Sequence, residues 1–468
     1  MTMTAVAVST LDGPRVDVGD ADIDGLRARM RGPVILAGDD GYDAARRVWN
    51  GNIDRHPAVI ARCTGVADVQ EAVNFARSKN LLVAVRGGAH NAAGNGTCDG
   101  GIVIDLSLMK GIRVDPAAKT ARAEGGVLWK EFDRETQVYG LATTGGTVSN
   151  TGIAGLTLGG GIGWLMGEHG LTVDNLLSVD IVTADGQARQ ASATENQDLF
   201  WAVRGGGGNF GIVTSFEYRV HPVGPQVLGG MLIHMLDQGG SVLRFYRDFC
   251  TTLPDKAMAA AGVLTAPGGP PVVAMIVGYT GDLAEGERVL APARAFGTPI
   301  MDTVGPMTYS ERQTLLDEPN AIHGLQRYWK SGFATTLSDQ LIDTVVAAGA
   351  TFTSPMSAML FIRVNGQATR VPAADTAFGL RQAQWDFNVI GQWEDPAESP
   401  QHTAWAKGVW SHVEPLISGS AYINHISGDD SPEKVRASYG PGLARLSKIK
   451  TKYDPGNLFR INANIAPG

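Results

Sequence analysis

Three glycine-rich stretches in the first half of the chain constrain its fold more than any other feature. They are VRGGAHNAAGNG at 85–96, the run at 140–170 that contains GLTLGGGIGWL, and RGGGGNFG at 204–211. Glycine has no Cβ, so such backbone either makes tight turns or lets a flat, bulky partner lie directly on it. The chain carries 60 glycines in 468 residues, against an average of about 7%, and they follow no G-X-Y period. The first stretch also holds a single imidazole. An apolar strand, LLVAV at 81–85, runs into Arg86, Gly87 and Gly88, and His90 follows inside the soft turn.

Chain length favours two domains. A hydrophobic content of 44% with 18% charged residues is that of a packed protein. The net charge of −8 argues against a nucleic-acid partner or an anionic membrane, either of which would need a basic face. The three cysteines, Cys63, Cys98 and Cys250, form no C-x-x-C pair. They therefore predict neither a disulfide framework nor a zinc site, and no metal is expected. The first residues lack a secretory pattern, and no apolar run nears the roughly 18 residues that cross a membrane. The expectation is a cytoplasmic protein.

Along the chain, helices are expected at 23–30 and 42–49, a strand at 58–63, a helix at 65–80 and strands at 81–85 and 101–107. Val69, Ala72, Val73 and Ala76 make one apolar helix face. A hairpin should turn at 115–119, a helix fill 127–138, and two strands join at Asp185-Gly186. Near residue 222 the character changes. From 226 to 420 glycine thins, and strands at 227–236, 271–280, 358–366 and 385–393 alternate with helices at 240–250, 283–295 and 402–416. That pattern predicts an antiparallel sheet covered on one face. The last residues return to the earlier style, with a helix expected at 432–450.

Neither obvious nucleotide motif survives its context. GGGNFG at 206–211 fits G-x-G-x-x-G, but a helix precedes it and a strand follows, the reverse of a Rossmann turn. GGGIG at 159–163 has Trp164 where the spacing needs glycine. There is no P-loop, no H-E-x-x-H and no G-x-S-x-G elbow. A pocket of three glycine-rich backbone segments around one histidine remains. Bare N–H groups suit a pyrophosphate, and apolar neighbours such as Leu156, Ile162 and Phe210 could flank a large ring. Turns alone would explain any single cluster equally well.

Taken together, VRGGAHN, TGIAGLTLGGGIGWLMGEHGLTVDNLLSVDIVTADG, DLFWAVRGGGGNFGIVTSFEYRV and the closing KYDPGNLFRINANI resemble the FAD-linked oxidases with a PCMH-type flavin domain. The nearest branch is the berberine bridge enzyme-like, 6-hydroxy-D-nicotine oxidase-like one. The likeness runs from about Tyr42 to Gly468. It implies an α+β fold. A two-lobed FAD-binding domain spans 1–225, with a PCMH-type core at about 54–223. A substrate-binding domain with a helix-covered antiparallel sheet spans 226–420, and 421–468 returns to the flavin domain.

The same resemblance implies FAD, bonded covalently through its 8α-methyl carbon to His90, and an oxidase that uses dioxygen on a small organic substrate. An imidazole suits that bond, being neutral and nucleophilic near pH 7. The first flavin segment is Arg86, Gly87, Gly88, Ala89, His90 and Asn91. The second is Thr147, Val148, Thr151, Gly152, Gly155 and Leu158, continuing through Gly159, Gly160, Gly161, Gly163, Trp164 and Leu165. Asn175, Val182 and the stretch Asn209, Phe210, Gly211, Ile212 and Val213 should line the adenosine and pyrophosphate.

Many relatives make a second bond through a cysteine, but Val148 stands there, and Leu156 replaces a histidine of the same pattern. Attachment through His90 alone follows. Thr151 occupies the place beside the oxygen-reactive edge, where its nearness in shape to valine favours an oxidase. Asn424 matches the Y-x-N pattern after Tyr422, and Asn462 and Asn464 match an N-x-N tail. Turn or cap duty is the plainer role for such asparagines, above all for Asn464. Tyr422 is the candidate for proton handling, and Tyr279, Arg363 and Trp393 are candidates for the substrate wall, with ordinary sheet packing as the rival reading. A dehydrogenase with a non-oxygen acceptor, an oxygenating or cyclising flavoenzyme, and a flavin-binding sensor remain as alternatives.

Overall fold

Short β-branched runs separated by turns build three large sheets and two two-stranded ones in this computed structural model, which describes residues 5–468. In the first, strands Val59–Arg62 and Val83–Arg86 both pair in parallel with Ile102–Asp105, and Val34–Leu36 is added antiparallel. Helix Val66–Ser78 makes the crossover and buries the expected face of Val69, Ala72, Val73 and Ala76. The turn that holds His90 begins where strand Val83–Arg86 ends. Ligands of open α/β sheets bind beyond such carboxyl ends.

The second sheet is antiparallel, in the order Ala188–Ser192, Leu176–Val182, Ile212–Arg219, Thr120–Glu124, Ile112–Asp115. Its core is built on Trp129, Phe132, Phe216 and Tyr218, with helices Trp129–Gln137 and Gln197–Val203 packed in. The hairpin and the Asp185-Gly186 turn stand where the alternation places them.

The third sheet has strands Gln226–Met235, Pro271–Tyr279, Ala257–Thr265, Ala358–Val364, Gln384–Trp393 and Gln326–Ala334 side by side, all antiparallel. Two of these were not anticipated. AMAAAGVLT is nearly uniform in polarity, and QRYWKSGFA buries its own arginine and lysine, so neither alternates visibly. Helices Gly239–Phe249, Leu283–Ala295, Asp339–Gly349 and Ser399–Val413 cover one face. The other face presents Ala260, Ile276, Phe333 and Ile362 to Ile162, Trp164 and Tyr422.

The single helix expected at 432–450 is two, Pro432–Tyr439 and Leu443–Tyr453. Gly440 takes φ +59 and Pro441 brings no N–H, which breaks the helix between them. Helix Tyr42–Arg46 is also shorter than expected. Among the described residues no helix is long and apolar enough to cross a membrane, and no group of side chains could hold a metal ion.

The C-terminal tail is held by one buried cation. Lys450 Nζ donates to Asp454 Oδ2 at 2.6 Å, to the Asn209 carbonyl at 2.7 Å and to the Phe459 carbonyl at 3.0 Å. The Asp454 carboxylate accepts the N–H groups of Leu458 and Phe459 at 2.7 and 2.9 Å. Both side chains are fully buried. Removing the ammonium strands a carboxylate out of water. Lys450→Met should therefore cost about 3–5 kcal/mol in urea unfolding. A loss below about 1 kcal/mol would show that the tail does not depend on this contact.

Candidate active site

The glycine segments, the bare face of the third sheet and the C-terminal tail enclose a cavity of about 530 Å³. That lies within the usual range for small-molecule and cofactor pockets, about 300–1,000 Å³. Its floor depends on backbone meeting backbone. A Cβ on Gly88 would sit 2.5 Å from both the nitrogen and the Cα of Gly152. Helix Ile153–Leu158 then starts directly above the first turn. Two glycines turn their bare sides to open space: a Cβ on Gly155 or Gly208 would meet nothing within 4 Å, and both line the cavity.

The cavity brings together Gly87, Gly88, Ala89, His90 and Asn91 from the first segment. From the second it takes Thr147, Val148, Thr151, Gly152, Gly155 and Leu158. Asn209, Gly211, Ile212 and Val213 follow from the third, and Tyr422, Asn424, Asn462 and Asn464 from the tail. Asn209 is pinned on both sides of its amide: Oδ1 accepts the Ile465 N–H at 2.9 Å, and Nδ2 donates to the Gly206 carbonyl at 2.8 Å.

His90 is half-buried at the cavity wall, and its Nε2 is enclosed with no hydrogen-bond partner. Its ring stacks on Trp49 with centroids 4.2 Å apart. Burial first, then the nearby His323 and Arg327, lower its pKa to about 3, so the imidazole is neutral at physiological pH.

Tyr422 is fixed by three donors. Its hydroxyl oxygen accepts from the Gly161 N–H at 2.8 Å, the Ile162 N–H at 3.3 Å and Asn424 Nδ2 at 2.7 Å. Burial outweighs those donors and pushes the phenol up to about 12.

Several expected residues lie elsewhere. Gly159, Gly160, Gly161 and Gly163 face protein: a Cβ on them would strike Asn424, Phe378, Thr172 and the Gly145 carbonyl respectively. Their contribution is the turn that aims N–H groups at Tyr422. Trp164, Leu165, Phe210 and Val182 are core residues behind the wall. Arg86 turns away to donate to the Ala45 carbonyl. Asn175 closes a turn, donating to the His169 and Leu171 carbonyls at 2.9 and 3.0 Å.

The three wall candidates share one error of parity. Tyr279, Arg363 and Trp393 project from the helix-covered face of the third sheet. Tyr279 packs in the core beneath the helices, and the Arg363 guanidinium lies 4.5 Å from the Trp385 ring, which belongs to that core. Trp393 continues the alternation of Trp385, Phe387 and Val389 and donates from Nε1 to Ser399 Oγ at 3.0 Å. Adjacent strand positions point to opposite faces, so Ile362 rather than Arg363 reaches the cavity.

The residues missed from the sequence stand on that same open side. Trp329 and His425 line the cavity, with ring centroids 4.9 Å apart. Trp329 Nε1 donates to Asn388 Oδ1 at 2.8 Å, and Asn388 Nδ2 donates to Asp386 Oδ2 at 3.0 Å. His425 Nδ1 lies 3.1 Å from that same oxygen, off the line of a hydrogen bond. Asp386 is fully buried. A buried carboxylate behind a histidine that lines a cavity is an acid–base pair by its chemistry. The one signal in the sequence was histidine directly after Tyr422-Ile423-Asn424.

These features fit a dinucleotide with a flat ring. The two open glycine faces form a cradle that any side chain would fill. The orphaned nitrogen of His90 and the unpartnered Oδ1 of Asn462 are both buried at the wall. Comparison with known proteins agrees. Residues 57–192 match the model of the FAD binding domain, and residues 421–466 match that of berberine and berberine-like proteins. The (R)-6-hydroxynicotine oxidase of Paenarthrobacter nicotinovorans is 32% identical over 454 residues, 94% of this chain and 97% of that one. The crystal structure of 6-hydroxy-D-nicotine oxidase from Arthrobacter nicotinovorans superposes with a TM-score of 0.85 at 30% identity, covering 94% of this chain and 98% of the other. The berberine bridge enzyme-like protein 1 of Physcomitrella patens gives 0.84 at 25% identity, over 95% and 99%.

Gly155→Leu tests the cradle. Leucine suits the helix and has room in the cavity, so the variant should fold yet purify with under about a tenth of the wild-type flavin, read by absorbance. Wild-type flavin content would place the ring elsewhere.

Proposed function

This chain belongs to the FAD-dependent oxidoreductases of the berberine bridge enzyme-like family, and from that membership we propose that it is an oxidase with FAD bonded to His90 alone. Its substrate is a small alcohol, amine or phenolic metabolite, and dioxygen is the electron acceptor, released as hydrogen peroxide. Bound FAD supplies the hydride acceptor for a C–H bond beside an oxygen, a nitrogen or an activated ring. The observation that carries the reading is His90 itself: neutral, with its Nε2 unpartnered, and set in the wall of a glycine-lined cavity.

Single attachment is supported by Val148, which lines the cavity where a second bond would need a cysteine. Cys63, Cys98 and Cys250 are all buried, and none borders the cavity. Thr151, also at the wall, supports oxygen as the acceptor. The division of labour follows the sheets: residues up to about 225 and the tail from 421 hold the cofactor, and 226–420 shape the substrate end, to which the tail also lends Tyr422 and His425.

His425 takes the proton that leaves the substrate, and Asp386 stabilises the imidazolium so formed. The sequence pointed to Tyr422 for that task. Its raised pKa and its three donors favour a fixed role beside Asn424, holding the reacting group rather than ionising. The open face of the sheet carries Ile362, Trp329 and Phe333, which favours a flat or apolar substrate and excludes water from it.

Two measurements test this. A substrate found by peroxide release should bleach the flavin under nitrogen, and air alone should restore the colour with one peroxide per flavin. A flavin that stays bleached in air until a quinone is added would make the protein a dehydrogenase. Asp386→Asn and His425→Ala should keep their flavin but slow its bleaching by about 10²–10⁴-fold, the usual worth of a general base. Wild-type rates in both would remove the pair from the mechanism.

A further inference from the structure

We propose that Trp49 is a positioning residue for flavin attachment, holding the His90 imidazole in the orientation that attacks the cofactor, with Arg327 clamping Trp49 from behind. This rests on the reading of His90 as the point of attachment. Three flat groups are stacked in order. The Arg327 guanidinium carbon lies 3.7 Å from the centroid of the Trp49 ring, and the Trp49 ring lies 4.2 Å from that of His90 with 22° between planes. His90 borders the cavity and Trp49 does not, so the indole backs the imidazole on the side away from the cofactor. The edge of His323 approaches at 6.5 Å and 83°.

Trp49 itself has little freedom. Its N–H donates to the Ala89 carbonyl at 3.0 Å, tying it to the turn of His90. Its carbonyl accepts Arg327 Nη1 at 2.6 Å and the Gly324 N–H at 3.1 Å, and its indole Nε1 donates to the Asn320 carbonyl at 2.7 Å. Arg327 is fixed in turn by Gln392 Oε1 at 2.8 Å and by the backbone N–H it donates to Asn50 Oδ1 at 3.1 Å. The indole is fully buried, and so is the guanidinium. An imidazole with a free Nε2 could otherwise turn about its own bond. Against the indole face, turning its plane loses the stack and meets the larger ring.

The reaction needs that restraint. Attachment forms one bond between an imidazole nitrogen and the 8α-methyl carbon. One C–H proton and one N–H proton leave. The electron pair of the C–H bond stays in the ring system until dioxygen removes it as hydrogen peroxide. A nucleophile displaced by about 1 Å can lose about 10²-fold in rate. Because Asn320, Gly324 and Arg327 are distant in sequence from His90, the geometry is complete only when strand Gln326–Ala334 has docked. Attachment is then a step of the folded chain.

The test uses full-length protein freed of flavin, given FAD, and sampled over time. Native absorbance reports bound flavin, and colour kept in an acid-denatured pellet reports attached flavin. Trp49→Leu and Trp49→Met fill the space without a ring face, and Met adapts to it where Leu does not fold. Trp49→Phe restores a ring. The expected result is native flavin in all folded variants, attachment at least about tenfold slower in the ringless ones, and Phe within a few-fold of wild type. Ringless variants that attach at the wild-type rate overturn the proposal, as does Phe as slow as Leu or Met. Wild type that binds FAD without ever attaching it overturns the assignment of His90 first, and the role of Trp49 with it.

Discussion

The contact between Gly88 and Gly152 is the constraint on which the site depends. With a Cβ on either residue the backbones would stand within 2.5 Å of it, so the turn after strand Val83–Arg86 and the loop before helix Ile153–Leu158 close only as glycine on glycine. That closure puts His90, Val148 and Thr151 around one cavity. It also explains a glycine content that would otherwise weaken the fold. The remaining glycines of the 159–163 run serve the same site at one remove, aiming N–H groups at Tyr422 and leaving room for Asn424.

A second organising element is the return of the C-terminus. Lys450 fastens the tail to the Asn209 loop, and Asp454 fastens it to itself. Tyr422, Asn424 and His425 stand on one part of that return, and Asn462 and Asn464 on another. The cavity is therefore assembled from segments more than 300 residues apart, and its two ends are made differently. The cofactor end is backbone and small side chains. The substrate end is aromatic and ionisable, with Trp329, Tyr422 and His425 gathered near Asp386.

The cofactor end was legible in the sequence because its demand is local. Consecutive glycines beside a histidine, and asparagines at fixed places in the tail, are visible without knowing what they touch. The substrate end was not, for a physical reason. Strand Gln384–Trp393 is buried at every position, so alternation between wet and dry faces gives no clue to which side chains meet the cavity. Tyr279, Arg363 and Trp393 have the chemistry of a substrate wall but stand one residue out of phase with the cavity. His425 looked alone because Asp386 lies 39 positions away and on another element. The break at Gly440-Pro441-Gly442, by contrast, was written plainly in turn residues, and the apolar spacing on either side masked it.

The measurement closest to the centre of this account is acid precipitation of the purified protein, wild type beside His90→Ala, with flavin absorbance read in pellet and supernatant. The account predicts yellow wild-type pellet and, for His90→Ala, colour only in the supernatant. Flavin released from wild type, or retained in the pellet after His90→Ala, would contradict it.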